Sequence, residues 1–272
     1  MQRLLDLLTG RSQEPGLDRA VLELARIEYP NLEIEPFVDI LDSYAVELSE
    51  RLAGGSGGSH YVDAANQYLF AELGFTGNTG DYYDPRNSCL NEVMTARTGI
   101  PIALAVVYLE IGRRLAQPVY GIGLPGHFLV QYRGADYAAF IDVFHGGRLL
   151  TAAECFELAR QSTGVPLNDD PRMLAPATER EIAMRMLRNL RAVYMHRQAY
   201  GKALQTLNLL VAADPQAAEE YKLRGRLHLQ MGSPAAARSD LEMYLRLAPE
   251  AEDRGEVERQ LRSLRSYQAG LN

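Results

Sequence analysis

Apolar residues recur at helical spacing over Asp18–Tyr29, where Ala20, Val21, Leu24, Ala25 and Ile27 share a face before Pro30. A second helix is predicted over Pro36–Leu52, with Phe37, Ile40, Leu41, Tyr44, Ala45 and Leu48 on one side. "AGGSGGSH" (53–60) then reads as a flexible joint, followed by a helix over about Tyr61–Leu73. "GFTGNTGDYYDPRNS" (74–88) is dense in Gly, Asn and Asp and reads as loop. Asn87 or Ser88 is expected to cap a short helix carrying Cys89 to Arg97. Pro101 sits at the favoured first position of the next helix, in which only Glu110, Arg113 and Arg114 are charged as far as Leu115. A helix apolar on most sides belongs in the middle of a core.

The period then changes. Val119–Gly123, Phe128–Tyr132 and Ala138–Asp142 read as strands, with Arg133–Asp136 turning a hairpin. Helices followed by a small antiparallel sheet give an α+β class for this part. "STGVPLNDDPRMLAPAT" (162–178) holds three prolines and reads as a boundary. Beyond it the pattern is purely helical and repeats. Asn189–Pro215 and Lys222–Pro249 align with their closing prolines 34 residues apart, and Ala203 and Ala237 fall at matched positions where helices approach closely. A last helix, about Glu256–Tyr267, is expected to cap the stack. The expected division is 1–165 for the α+β domain, 166–177 for a linker and 178–267 for the all-α repeats.

The 272 residues suffice for one large or two ordinary domains, and 47% apolar residues can bury a real core. The net charge of −7 is uneven, because residues 1–178 carry 13 basic and 23 acidic side chains and the remainder 15 and 12. Neither part is basic enough to point to nucleic acid. Cys89 and Cys155 have no CxxC spacing, so neither a disulfide framework nor a cysteine zinc site is expected. No signal-peptide core and no run of membrane-spanning length is present, which points to a soluble cytoplasmic chain without a membrane partner.

The candidate chemistry lies in "GLPGHFLVQYRGADYAAFIDVFHGG" (123–147). His127 opens one apolar alternating run and Asp142 closes the next across a short turn. A hairpin of this kind sets a histidine beside a carboxylate, the basic half of a nucleophile–His–Asp triad. His145, followed by two glycines, is near enough in sequence to reach the same pocket. A two-histidine site with Asp142 has no HExxH-type register behind it, and neither metal nor cofactor is expected. Cys89, at a helix start where the dipole lowers a thiol pKa, is the candidate nucleophile or else a small buried residue. Asn91 and Glu92 line the cleft mouth beside His127, or tie the 74–88 loop to the buried helix. Glu110 needs a partner among Arg97, Arg113 and Arg114. Tyr108 and Tyr120 are expected to fill core.

These segments resemble the transglutaminase-like superfamily, whose layout is a cysteine starting a buried helix, a histidine beginning the next-but-one strand and an aspartate ending the following one. "GIPIALAVVYLEIGRRLAQPVYGIGLPGHFLVQY" with "FIDVF" follows that order and spacing. The resemblance puts His127 on the family histidine, Asp142 on the aspartate and the cysteine position on or next to Pro101. The 34-residue repeats resemble tetratricopeptide (TPR) repeats. With "LFAELGFTGN", "YYDPRNSCLNEV" and "MLRNLRAVY", the chain as a whole is similar to the bacterial SirB family, transglutaminase-like proteins with C-terminal TPR repeats. The resemblance implies a mainly helical papain-like domain whose cleft lacks the superfamily nucleophile, leaving His127 and Asp142 either vestigial or catalytic. It implies a noncatalytic protein-interaction or regulatory protein that takes a protein or peptide partner through the cleft and the TPR groove. The alternative is a cysteine- or water-dependent hydrolase or acyltransferase using His127 and Asp142.

Overall fold

The computed structural model describes residues 1–11 and 16–269, with side chains as far as Leu264. The chain divides into two units, Met1–Met186 and Leu187–Asn272.

In the first unit helices α1 (Gln2–Leu8), α2 (Leu17–Ala25), α3 (Glu35–Leu52), α4 (Gly58–Asn66) and α5 (Leu90–Ala96) precede the buried helix α6 (Pro101–Arg114). A wide π-helical turn over Gln67–Glu72 extends α4. The joint expected over 53–60 is shorter than its glycines suggest, because Gly58 already lies in α4. The 74–88 loop is also more ordered than its composition implies. It holds β1 (Thr76–Gly77), which pairs in parallel with β2 (Thr98–Gly99), and a 3-10 turn over Pro85–Ser88. Asn87 and Ser88 end that turn, so the residue at the start of α5 is Cys89 itself.

Helix α6 is buried from Pro101 to Gly112, as a sequence apolar on most sides requires. Its last turn carries Arg113 and Arg114, whose charges suit the negative end of the helix. Both arginines bond Glu110 Oε2, at 2.8 and 2.7 Å, and Arg114 also donates to Asp18 at 2.6 Å. Burial, with Asp18 beside it, raises the Glu110 pKa against the pull of the two guanidinium groups. Arg97 instead donates to the Leu73 carbonyl. Tyr108 is buried against Tyr61, as expected of core.

The main sheet is antiparallel and runs β6–β5–β4–β3–β7, with β3 (Val119–Ile122), β4 (Leu129–Arg133), β5 (Ala138–Asp142), β6 (Arg148–Leu150) and β7 (Pro176–Ala177). The central hairpin pairs Val130 with Ile141 and Arg133 with Ala138, so Arg133, expected in the turn, instead ends β4. Helix α7 (Ala152–Thr163) starts on a reciprocal cap between Thr151 and Glu154. Cys155 and Ala159 of α7 pack on Ile122, Leu124 and Leu129 of the sheet side. The two flanking strands are too short for a periodicity to betray them. Pro176 is compatible with β7 because that strand is an edge, where a missing N–H leaves no ladder bond unmade. The segment expected to be a linker over 166–177 therefore adds a strand to the sheet, and the division between units falls later, within helix α8 (Glu179–His196). The class is α+β.

The second unit continues with α9 (Tyr200–Ala213), α10 (Ala218–Gln230), α11 (Pro234–Leu247) and α12 (Arg254–Ala269). The matched Ala203 and Ala237 are both fully buried. Val211, Tyr221, Leu241, Tyr244, Val257 and Leu261 form its core, so α12 closes the apolar end of the last repeat. Arg224 grips Asp240 through two bonds of 2.8 and 2.7 Å, locking α10 to α11.

Candidate functional site

The strand β4 is entered through a tight turn, Leu124-Pro125-Gly126-His127. Gly126 has φ +72° and the His127 N–H donates to the Leu124 carbonyl at 3.3 Å. Proline followed by a left-handed residue is the type II turn sequence, and it delivers His127 at the strand's mouth. A Cβ on Gly126 would stand 2.8 Å from the Ser162 Cβ and 3.2 Å from its backbone, so the turn also abuts α7. Arg185, on α8 within the first unit, clamps it from the other side. Its Nη2 donates to the carbonyls of Leu124 (2.7 Å) and His127 (2.6 Å), and its guanidinium lies over the Phe128 ring. Burial lowers the Arg185 pKa, with Tyr82 nearby opposing.

Asp142 ends β5, across the hairpin. Its carboxylate accepts from His127 Nε2 at 2.9 Å and from the Phe144 N–H at 3.2 Å on Oδ1, and from His145 Nδ1 at 2.7 Å on Oδ2. An ionised carboxylate only accepts, which assigns the protons to His127 Nε2 and His145 Nδ1 in the neutral rings. Burial alone would push the Asp142 pKa up. The hydrogen bonds and charges of the two histidines outweigh it and hold the carboxyl below its ordinary value. The side chains of Asp142 and His127 are 2% and 6% exposed, whereas that of His145 is 51% exposed. The two imidazoles stand 6.0 Å apart and only 21° from parallel, and Phe144 meets His127 edge-on. The donor atoms of the three residues all lie within 4.8 Å of one another. A cavity of about 340 Å³ opens beside Asp142 and His145, bounded by Arg148, Leu150, Glu154 and Leu158.

The pairing of His127 with Asp142, expected from the hairpin, is thus present, and His145 joins it. Cys89 is fully buried, and its thiol donates to the Pro85 carbonyl at 3.4 Å. Asn91 donates to Glu92 and lines a separate depression of about 570 Å³ with Tyr29, Leu32 and Phe37. Burial, with Glu92 and Cys89 beside it, pushes the Tyr29 pKa up to about 12. Pro101 is buried at the first position of α6. Chemically, the site is an imidazole oriented by a buried carboxylate, with a second, solvent-facing imidazole on the same carboxylate. Sequence reasoning missed Arg185. Its one signal was a lone arginine among the buried Ile182, Ala183, Met184 and Met186.

The pattern of the transglutaminase-like superfamily matches residues 35–188, and that of the tetratricopeptide repeat matches 190–262. A UPF0162 protein of Xylella fastidiosa (strain 9a5c) is 39% identical over 238 residues, covering 86% of this chain and 84% of its own. F-box only protein 21 of Mus musculus is 31% identical over 185 residues, 64% of this chain and 28% of that protein. Among solved structures, that of menin, which reveals its binding site for Mixed Lineage Leukemia protein, aligns over 95% of this chain and 73% of its own. The TM-score is 0.41 at 13% identity.

Proposed function

Because the chain belongs to the transglutaminase-like superfamily, joined to TPR repeats as a member of the UPF0162 proteins, we propose that it works as a noncatalytic protein-interaction or regulatory module. The observation that carries this reading is the contrast between a built His127–Asp142 pair and a proline at the position the resemblance assigns to the nucleophile. Pro101 offers neither thiol nor hydroxyl. Cys89, the other candidate, has its thiol buried and bonded to a loop carbonyl. TPR repeats stack into surfaces that accept extended or helical peptides, so the partner is a protein or peptide segment. The resemblance to SirB proteins supports the same role, with the chain in the cytoplasm. Among the described residues no helix is long and apolar enough to cross a membrane.

One observation favours the second reading, a cysteine- or water-dependent hydrolase or acyltransferase. The 2.9 Å bond between His127 and Asp142 is that of a general base and its orienting acid. Alkylation of Cys89 at neutral pH separates the proposal from the cysteine-dependent form of this reading. A noncatalytic cleft leaves Cys89 as slow as a buried thiol and indifferent to His127→Ala. Rapid labelling that His127→Ala suppresses would establish a working Cys–His unit and overturn the proposal. The interaction role is tested by panning a peptide library on the full chain. Enrichment of one motif whose binding falls in His127→Ala supports it, and the absence of any enriched motif counts against it.

A further inference from the structure

We propose that His127, Asp142 and His145 form a binding site for a divalent first-row transition-metal ion of the zinc type. Two imidazole nitrogens and one carboxylate oxygen lie mutually within 4.8 Å, and Asp142 and His145 border a cavity with room for further ligands. This is independent of the interaction reading. It needs only the geometry of the three side chains.

The donor set selects the metal. Imidazole suits Zn²⁺, Co²⁺, Ni²⁺ and Fe²⁺, whereas Ca²⁺ and Mg²⁺ take shells of oxygen. Three protein ligands leave at least one position for water or a small ligand, and two of the three, Asp142 and His145, line the 340 Å³ cavity. The proton balance is simple. In the hydrogen-bonded arrangement, His127 Nε2–H and His145 Nδ1–H both point at Asp142. A cation between them takes the place of these two protons. His127 moves its proton to Nδ1 and His145 to Nε2, so two neutral rings present lone pairs with no net proton released.

The ligands are also held in advance. The Phe144 N–H fixes the Asp142 carboxylate, and the Gly147 N–H bonds the Asp142 carbonyl at 3.0 Å. Asn66 donates to the Gly147 carbonyl at 2.8 Å. Gly147, at φ +78°, lies so close to Asn66 and Phe70 that a Cβ would meet them at 2.6 and 2.7 Å. His127 is fixed by its Pro-Gly turn and by Arg185. The imidazole of His145, the half-exposed member, is the one with room to swing toward bonding distances of about 2.0–2.1 Å. A site with two fixed ligands and one mobile one is open to an incoming ion.

The alternative is a hydrogen-bonded cluster that never takes metal. The experiment is calorimetric titration of the EDTA-stripped full chain with Zn²⁺, and with Co²⁺ as an optical probe. The expected result is one equivalent per chain at micromolar or tighter Kd, with a visible Co²⁺ band and no displacement by excess Mg²⁺. His145→Ala, which alters a half-exposed side chain, should keep the Tm of the stripped protein within about 4 °C of wild type and weaken Zn²⁺ at least about 10–100-fold, the loss that removal of even an outer partner causes. His228→Ala, in the second unit, should leave Zn²⁺ binding unchanged. Absence of a one-equivalent site would overturn the proposal. So would a site that survives His145→Ala or is lost in His228→Ala.

Discussion

Replacing Asp142 by Asn tests how the site is held. In the wild type the carboxylate accepts three hydrogen bonds, two of them from imidazoles. Hydrogen bonds to a charged group contribute about 1.5–3 kcal/mol each when buried, against about 0.5–1.5 for neutral ones. The His127 bond is buried and takes the whole of that difference. The His145 bond, with a ring half in water, is discounted to about 0–1 kcal/mol. An amide keeps one accepting oxygen and turns its NH₂ to the other ring, which accommodates by changing tautomer. The net loss is about 2 kcal/mol, which for a unit of this size lowers Tm by about 4–8 °C at pH 7. The pH dependence has a definite sign. The folded-state pKa of Asp142 lies below its ordinary value, so its stabilisation is fully present above the unfolded carboxylate pKa of about 3.9 and fades as pH falls through the folded value. The gap between wild type and Asp142→Asn is therefore widest at neutral pH and closes on acidification. Calorimetry of both proteins at pH 7 and at acidic pH reads it. Coincident Tm values at pH 7, or a gap that widens in acid, would refute the reasoning.

Three further outcomes are expected. Arg185→Ala removes both donors that clamp the Leu124 and His127 carbonyls and should lower stability by about 1.5–3 kcal/mol, read by urea denaturation. An unchanged midpoint would show that the turn holds without the clamp. Gly126→Ala combines a left-handed backbone, which costs about 1–2 kcal/mol for a residue with a Cβ, with the approach to Ser162, so its midpoint should fall at least that far. Pro101→Cys places a thiol at a helix N-terminus. If the resemblance aligns that position with the superfamily nucleophile, the new thiol should alkylate faster at pH 7 than in urea-unfolded chain, and an equal or slower rate would count against the alignment.

Several elements were legible because their residues state their own surroundings. Helix α6 is apolar on most sides and belongs in the core, and the matched Ala203 and Ala237 mark close helix approaches in a repeat of fixed period. The hairpin was legible for a similar reason. Period-two alternation fixes which side chains share a face, and the pairing of β4 with β5 brings His127, two residues ahead of β4, toward Asp142 at the end of β5. Other features exist only through distant contacts. The strands β6 and β7 are three and two residues long, too short for any periodicity, and form because the sheet edges offer them partners. Cys89 looks like a helix-start thiol in sequence, yet packing buries it and turns it toward the Pro85 carbonyl. Asn91 and Glu92 neighbour it in sequence, but the course of α5 carries them to Tyr29. Arg185 lies far along the chain from the turn it clamps, and no local pattern links the two. The sequence alone determined the class, the repeat and the His127–Asp142 pair, since hydrophobic periodicity and strand pairing are local and additive. Tertiary structure decided which polar groups surround that pair, because a buried hydrogen bond is satisfied by whichever donor the fold brings near, at any distance along the chain.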